Sequence, residues 1–213
     1  MKTYSKNQLQ RYPIYLKFFK GLLEKGVETI SSPKIAKELG YSEEQIRKDL
    51  QVICSEAGRP KKGRSVSKLV ETLENFLGYR DATKAVIIGT GHLGGALLNY
   101  PNFKEMGLEI VAGFDTDPKK IGKSISNKPI YDFKELEKKI SELNCQIAII
   151  TVPASLAQEV VNKCLSYGIR GIWNFAPTHI NVPSNVVIEN VNLSSSLAVL
   201  SHRLNEELAK EER

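Results

Sequence analysis

The sequence predicts an α/β chain in two parts, a basic helical module followed by a doubly wound parallel sheet, with one further helix at the end. Three observations predict it. Apolar residues recur at helical spacing through the first part, and the basic excess is confined there: residues 1–80 carry 16 Lys and Arg against 9 Asp and Glu, whereas residues 81–213 carry 14 against 15. A short apolar strand then runs into glycines spaced as G-x-G-x-x-G. Beyond it, continuous apolar runs of the kind buried parallel strands use alternate with helical stretches. The expected divisions are residues 1–80, 81–192 and 193–213.

In chain order, the first helix is expected from about Gln8 to Lys25, with Leu9, Ile14, Leu16, Phe18, Phe19, Leu22 and Leu23 on its apolar face. Pro13 is tolerated near its start and Gly26 stops it. A second helix opens at Ser31-Ser32-Pro33, with Ser32 as N-cap and Pro33 in the first helical position, and ends at Leu39-Gly40. A third opens at Ser42-Glu43-Glu44-Gln45, a capping-box pattern, and runs to about Ile53. Short helix, glycine turn, short helix is the helix-turn-helix arrangement, whose second helix can enter a major groove. Ser42, Gln45, Arg47, Lys48 and Gln51 are the polar groups available there, Arg47 and Lys48 for guanine or phosphate and Gln45 for adenine. The glycine-bounded basic loop from Gly58 to Arg64, with Arg59, Lys61, Lys62 and Arg64, suits a wing along phosphates or a minor groove. Helical periodicity returns from Ser65 to Leu77. The module therefore reads as a winged helix-turn-helix domain with double-stranded DNA as partner.

The second part opens on Ala85-Val86-Ile87-Ile88 running into Gly89-Thr90-Gly91-His92-Leu93-Gly94. In a dinucleotide-binding turn Gly89 permits the tight bend, Gly91 lets backbone approach a pyrophosphate, and Gly94 lets the helix pack on the strand. The strand Leu108 to Asp115 ends in an acid 21 residues past Gly94, where a carboxylate would hold a ribose 2′-OH and favour NAD over NADP. Further strands are read at Ile147 to Val152, stopped by Pro153, at Gly171 to Phe175, and at Val186 to Ile188. A helix carrying Ala157, Val160, Val161, Cys164 and Leu165 follows the first of these. This is a Rossmann sheet whose ligand crevice lies at the strand carboxyl ends. Thr151, Val152, Pro153, Asn174, Phe175, Ala176 and Pro177 are then the candidates for the nicotinamide end, with Phe175 and Ala176 also readable as plain packing residues.

The residues after the last strand are too few for a substrate domain. They read as one amphipathic helix with Leu193, Leu197, Leu200, Leu204 and Leu208 on a stripe that needs a partner. His92 and His179 have no neighbouring carboxylate or second histidine at useful spacing, and His202 reads as exposed on the terminal helix, so no catalytic residue and no metal site are expected. Three cysteines at unpatterned spacing (Cys54, Cys145, Cys164) predict a reduced, cytoplasmic protein without disulfides. No secretory h-region and no bilayer-length apolar run are seen, so no membrane partner is expected.

With these motifs placed, the chain resembles the redox-sensing transcriptional repressors of the Rex family over nearly its whole length. The resemblance rests on Pro13-Ile14-Tyr15, Gly26-Val27-Glu28 with Ser31-Ser32, Gln45 to Leu50, the glycine turn, Asn99-Tyr100, Asp115-x-Asp117-Pro118 and Asn174-Phe175-Ala176-Pro177. It implies a homodimer on an AT-rich palindromic operator, NADH bound more tightly than NAD⁺, a terminal helix swapped onto the partner, and release of DNA when NADH binds. It also implies a switch involving Tyr100, with Lys17 and Asn192 standing where the family carries arginine and aspartate. Arginine and lysine differ in paired geometry and asparagine carries no charge, so a weaker or rewired NADH response is expected. The wing is one residue longer and more basic than the family's. Two other readings stay open: a small NAD-dependent reductase, and a repressor responding to another nucleotide such as coenzyme A.

Overall fold

The structure, a computed structural model, describes residues 4–54 and 63–211. The chain divides into two compact units, Met1–Asp81 and Ala82–Arg213.

The first unit opens with α1 (Lys6–Glu24), where the Ser5 hydroxyl accepts the Gln8 N–H at 3.2 Å. It starts two residues earlier than expected, so Pro13 lies two turns inside an unbroken helix. The ring is tolerated because this face is in water, where the Leu9 carbonyl left without a Pro13 N–H can be solvated. The buried seam is also rotated from the expected one. Tyr12, Tyr15, Leu16 and Phe19 are buried, whereas Leu9, Ile14 and Leu23 are exposed. The tyrosines win the interior because each hydroxyl finds an acceptor on α3, described below.

Helix α2 (Ser32–Leu39) has Ser31, not Ser32, at its N-cap position, with no side-chain capping bond, and Pro33 takes the second position. Gly40, at φ +69°, turns the chain into α3 (Glu43–Ile53), where the Ser42 hydroxyl caps the Gln45 N–H as expected. Strands β1 (Thr29–Ile30) and β2 (Arg64–Ser65) form a two-residue antiparallel ladder. Gly63 packs against it at φ +73°, and a Cβ there would lie 2.7 Å from the Ile30 carbonyl oxygen. Ser65 then caps α4 (Val66–Leu77), which packs on α1. Of the expected wing residues, Arg59, Lys61 and Lys62 lie outside the described residues.

The second unit is one seven-stranded sheet in the order β5-β6-β4-β3-β7-β8-β9. These are β3 (Thr83–Ile88), β4 (Leu108–Asp115), β5 (Ser124–Ile125), β6 (Lys128–Asp132), β7 (Ile147–Ile150), β8 (Gly171–Asn174) and β9 (Val187–Asn190). All neighbours are parallel except the β5–β6 hairpin at one edge. Period-two alternation supplies both faces. Val86 and Ile88 of β3 point with Phe114 and Ile150 into a core closed by α6 (Leu136–Leu143) and α7 (Ala154–Ser166). Ala85 and Ile87 point the other way, towards Leu98 of α5 (His92–Leu98) and Phe103 of the 3₁₀ turn Pro101–Met106. The strand at Ile147 stops at Ile150, and the last one runs Val187–Asn190, beginning one residue and ending two residues later than its apolar core suggested.

The chain ends in α8 (Leu193–Glu211), along which Leu193, Leu197, Val199, Leu200, Leu204 and Leu208 are 48–67% exposed. No helix among the described residues is long and apolar enough to cross a membrane.

Candidate functional site

At the carboxyl end of β3 the three glycines have three different physical reasons. Gly89 sits at φ +93°, a region L side chains rarely enter. A Cβ on Gly94 would lie 2.0 Å from the Gly89 carbonyl oxygen, so only a bare backbone lets α5 approach the strand this closely. Gly91 is different: its φ is ordinary at −67°, and a Cβ there would meet nothing within 4 Å. The space it leaves open is the mouth of a cavity of about 650 Å³, within the range of nucleotide and drug-sized sites.

The cavity runs across the strand ends, at the point where the sheet order reverses. Gly89, Gly91, Leu93, Asp115, Thr151, Val152, Pro153 and Phe175 line it, joined by Pro177. Thr90, Gly94 and Asn174 instead hold its walls. The Thr151 hydroxyl donates to the Gly89 carbonyl at 2.6 Å, pinning the turn to β7. Asn174 is buried and wholly occupied: its amide donates to the Ala176 and Thr178 carbonyls and to Asn190 Oδ1, and its oxygen accepts the Ala176 N–H. It shapes the Phe175–Pro177 turn and leaves Phe175 to face the cavity. His92 stands exposed at the first position of α5.

Asp115 is more heavily engaged than its sequence position suggests. Oδ2 accepts from the Thr90 N–H, the Thr90 hydroxyl and Lys120 Nζ at 2.7–3.0 Å, and Oδ1 from the Thr116 and Asp117 N–H groups. Burial alone would push its pKa up, but the Asp117 N–H, the Thr90 hydroxyl, Lys120 and the Thr90 N–H hold it well below the usual carboxylate range. A ribose hydroxyl placed here meets a fixed anion, and Lys120, on a long side chain, is the donor free to shift. Sequence reading missed Lys120, although it follows the Asp115-x-Asp117-Pro118 turn. It also missed Phe133, Leu156, Glu159 and Lys163 on the same end of the cavity.

On the first unit, α3 carries Gln45, Arg47, Lys48 and Gln51, of which the last three are exposed. Arg47 pairs with Glu43 and Lys48 with Glu44, the latter at 2.7 Å, each one turn back on the same helix. Gln45 does not close the capping box. Its amide NH2 donates to Asp49 Oδ1 at 2.9 Å, one of the donors a buried carboxylate needs. Asp49, which sequence reading passed over, also accepts from Arg11 Nε and Nη2 and from the Tyr15 hydroxyl, while the Tyr12 hydroxyl donates to its carbonyl. Burial would raise its pKa, and Arg11, Tyr15 and Gln45 hold it below the ordinary value. Arg64 lies half-buried in β2.

The remaining expected residues are surface groups. Lys17 is exposed on α1. Tyr100 is 43% exposed, its ring 4.8 Å from that of Phe103. Asn192 Oδ1 accepts the Ser195 N–H at 3.0 Å and so caps α8. Among the described residues all three cysteines are free thiols, and burial pushes Cys54 above its usual value.

Comparison with known proteins bears on both units. Residues 5–51 match the family described as "Putative DNA-binding protein N-terminus", and residues 80–178 the family described as "CoA binding domain". The chain is 42% identical over 197 residues to the redox-sensing transcriptional repressor Rex of Bacteroides thetaiotaomicron, covering 92% of this chain and 89% of that protein. It is 44% identical to the Rex of Treponema denticola, covering 92% and 93%. Among solved structures, RSP in complex with β-NAD⁺ and operator DNA superposes with a TM-score of 0.92 at 33% identity, covering 100% of this chain and 97% of that one. RSP in complex with β-NADH gives 0.88 at 33% identity, covering 100% of both.

Proposed function

The chain belongs to the Rex family of redox-sensing transcriptional repressors, and from that premise we propose that it binds AT-rich palindromic operator DNA as a homodimer and releases it when NADH fills the cavity of the second unit. The observation that carries this reading is Gly91, where the backbone leaves open space at the mouth of a cavity flanked by an acid. Open space at the middle glycine suits a pyrophosphate against backbone N–H groups, and Asp115 suits the adenosine ribose.

The nicotinamide end is lined by Leu93, Val152, Pro153, Phe175 and Pro177, none of which titrates. A hydride-transferring enzyme needs an acid or base there, so this lining supports a sensor without turnover, and the free thiols support the reducing cytoplasm as its compartment. The exposed leucines of α8 support a helix swapped onto a second copy. In this reading Arg47, Lys48 and the wing cations Arg59, Lys61, Lys62 and Arg64 hold DNA, and Ser42, Gln45 and Gln51 flank them. Ligand and DNA then compete as two dimer shapes of different affinity. Lys17, Tyr100 and Asn192 take the switch positions, and a lysine and a neutral amide there soften the response to NADH.

Retardation of an AT-rich palindromic DNA by the full-length protein, titrated with NADH and with NAD⁺, tests this. Release by NADH at concentrations where NAD⁺ has no effect is the expected result. Release by coenzyme A and not by NADH would move the assignment to another nucleotide, and absence of specific retardation at low salt would overturn it.

A further inference from the structure

We propose that Glu159 and Lys163 read the amino edge of the adenine ring, making the site selective for adenine over 6-oxo purine dinucleotides. The proposal rests on the dinucleotide reading above and assigns the base at its Asp115 end.

The apolar lining of the cavity includes Phe133, Leu156 and Val160. These are apolar surfaces, suited to the two faces of a flat heteroaromatic ring and offering nothing to its polar edge. The polar groups are supplied from one helix face. Leu156, Glu159, Val160 and Lys163 fall at i, i+3, i+4 and i+7 on α7, so two cavity walls and two charges share a single stripe. Lys163 Nζ lies 2.8 Å from Glu159 Oε1 and 5.6 Å from the centroid of the Phe133 ring. The Lys163 ammonium thereby sits near the aromatic wall, with Glu159 beside it at the solvated rim.

The chemistry of the pair is directional. A carboxylate only accepts and an ammonium only donates. Adenine presents the complement, an exocyclic N6 amino donor beside a ring-nitrogen acceptor. Glu159 takes the N6 hydrogen and Lys163 donates to the neighbouring ring nitrogen. Hypoxanthine has an oxygen at position 6, which would face the Glu159 carboxylate acceptor to acceptor. Both side chains are partly exposed, at 69% and 46%, so water moderates the discrimination. An ordinary surface ion pair one helical turn apart would have no influence on which base is bound, and that difference is measurable.

The experiment is calorimetric titration of the full-length protein with NADH and with reduced nicotinamide hypoxanthine dinucleotide, which differ only at the base. NADH is expected to bind about tenfold more tightly, the scale of one hydrogen bond to a charged group at a solvated rim. In Glu159→Ala the ratio should fall to about twofold through loss on the NADH side, with thermal stability unchanged. Lys163→Met, which keeps the stem over Phe133, should weaken NADH while leaving the hypoxanthine analogue nearly unaffected. A wild-type ratio within about twofold, or a ratio that Glu159→Ala leaves unchanged, overturns the base assignment while the dinucleotide reading stands. Failure of both dinucleotides to bind overturns the reading beneath it and the base assignment with it.

Discussion

The Asp49 carboxylate receives the Arg11 guanidinium in a fork, Nε to Oδ2 at 2.6 Å and Nη2 to Oδ1 at 2.9 Å. Asp49 lies in the middle of the helix expected to enter the major groove, and Arg11 lies on α1, 38 residues earlier. The fork, with Tyr15 and Gln45 completing the donors, fixes that helix against α1 while Arg47 and Lys48 face outward.

Arg11→Met should therefore destabilise the first unit by about 3 kcal/mol, because it strands a buried carboxylate rather than removing a pair. Urea denaturation followed by circular dichroism measures it. Operator affinity should fall with it, although Arg11 is committed to Asp49. Stability within error of wild type would show that the fork contributes little.

Acid should unfold the chain through the same groups. The pKa values of Asp49 and Asp115 are both depressed in the folded state. Their stabilisation is complete above the unfolded carboxylate value of about 3.9 and is lost as pH falls below it. The urea midpoint should hold between pH 7 and pH 5 as far as these two are concerned, then drop steeply below about pH 4. Asp115→Asn should flatten the part of that drop belonging to the second unit.

Two glycine-to-alanine changes separate folding from binding. Gly94→Ala places a methyl group 2.0 Å from a carbonyl oxygen and should cost the second unit its native packing. Gly91→Ala meets nothing in the protein and should leave the thermal midpoint unchanged while abolishing NADH binding. Thermal melts and NADH titration of both variants give the comparison. Normal NADH affinity in Gly91→Ala would place the pyrophosphate elsewhere.

The single tryptophan is a built-in probe. Trp173 stands 4.9 Å, centroid to centroid, from Phe175, which lines the cavity. NADH binding should quench Trp173 emission with matching emission from the reduced nicotinamide, and NAD⁺ should give no such transfer. Excitation of the tryptophan during titration reads both.

The acids at the start of α3 should tune DNA affinity. Glu43 and Glu44 tie up Arg47 and Lys48 and carry charge that phosphates repel. The double variant Glu43→Gln, Glu44→Gln should raise operator affinity several-fold and steepen its salt dependence, at a helix-terminal stability cost of roughly 0.5 kcal/mol. Filter binding between low and physiological salt measures the slope.

The glycine turn, the β4 acid and the Ser42 cap of α3 were legible because each is set by local chemistry within a few residues. The Phe133 wall of the cavity was not, since Phe133 follows β6, a strand with one fully buried residue (Ile130) and hence almost no apolar signal. Asp49 escaped for another reason. A charged residue on an amphipathic helix reads as solvent-facing, and only Arg11, far off in sequence, makes its burial tolerable. The tyrosine seam of α1 follows from the same long-range pairing, so the expected apolar face was rotated. Asn192 was singled out for a missing charge, and the structure adds that its oxygen caps α8.

The exposed leucine stripe of α8 also has a consequence for dosage. If the stripe finds its cover on a second copy, the amount of competent repressor varies as the square of chain concentration at low expression. A cell could then relieve repression by halving synthesis as well as by changing its nicotinamide pool.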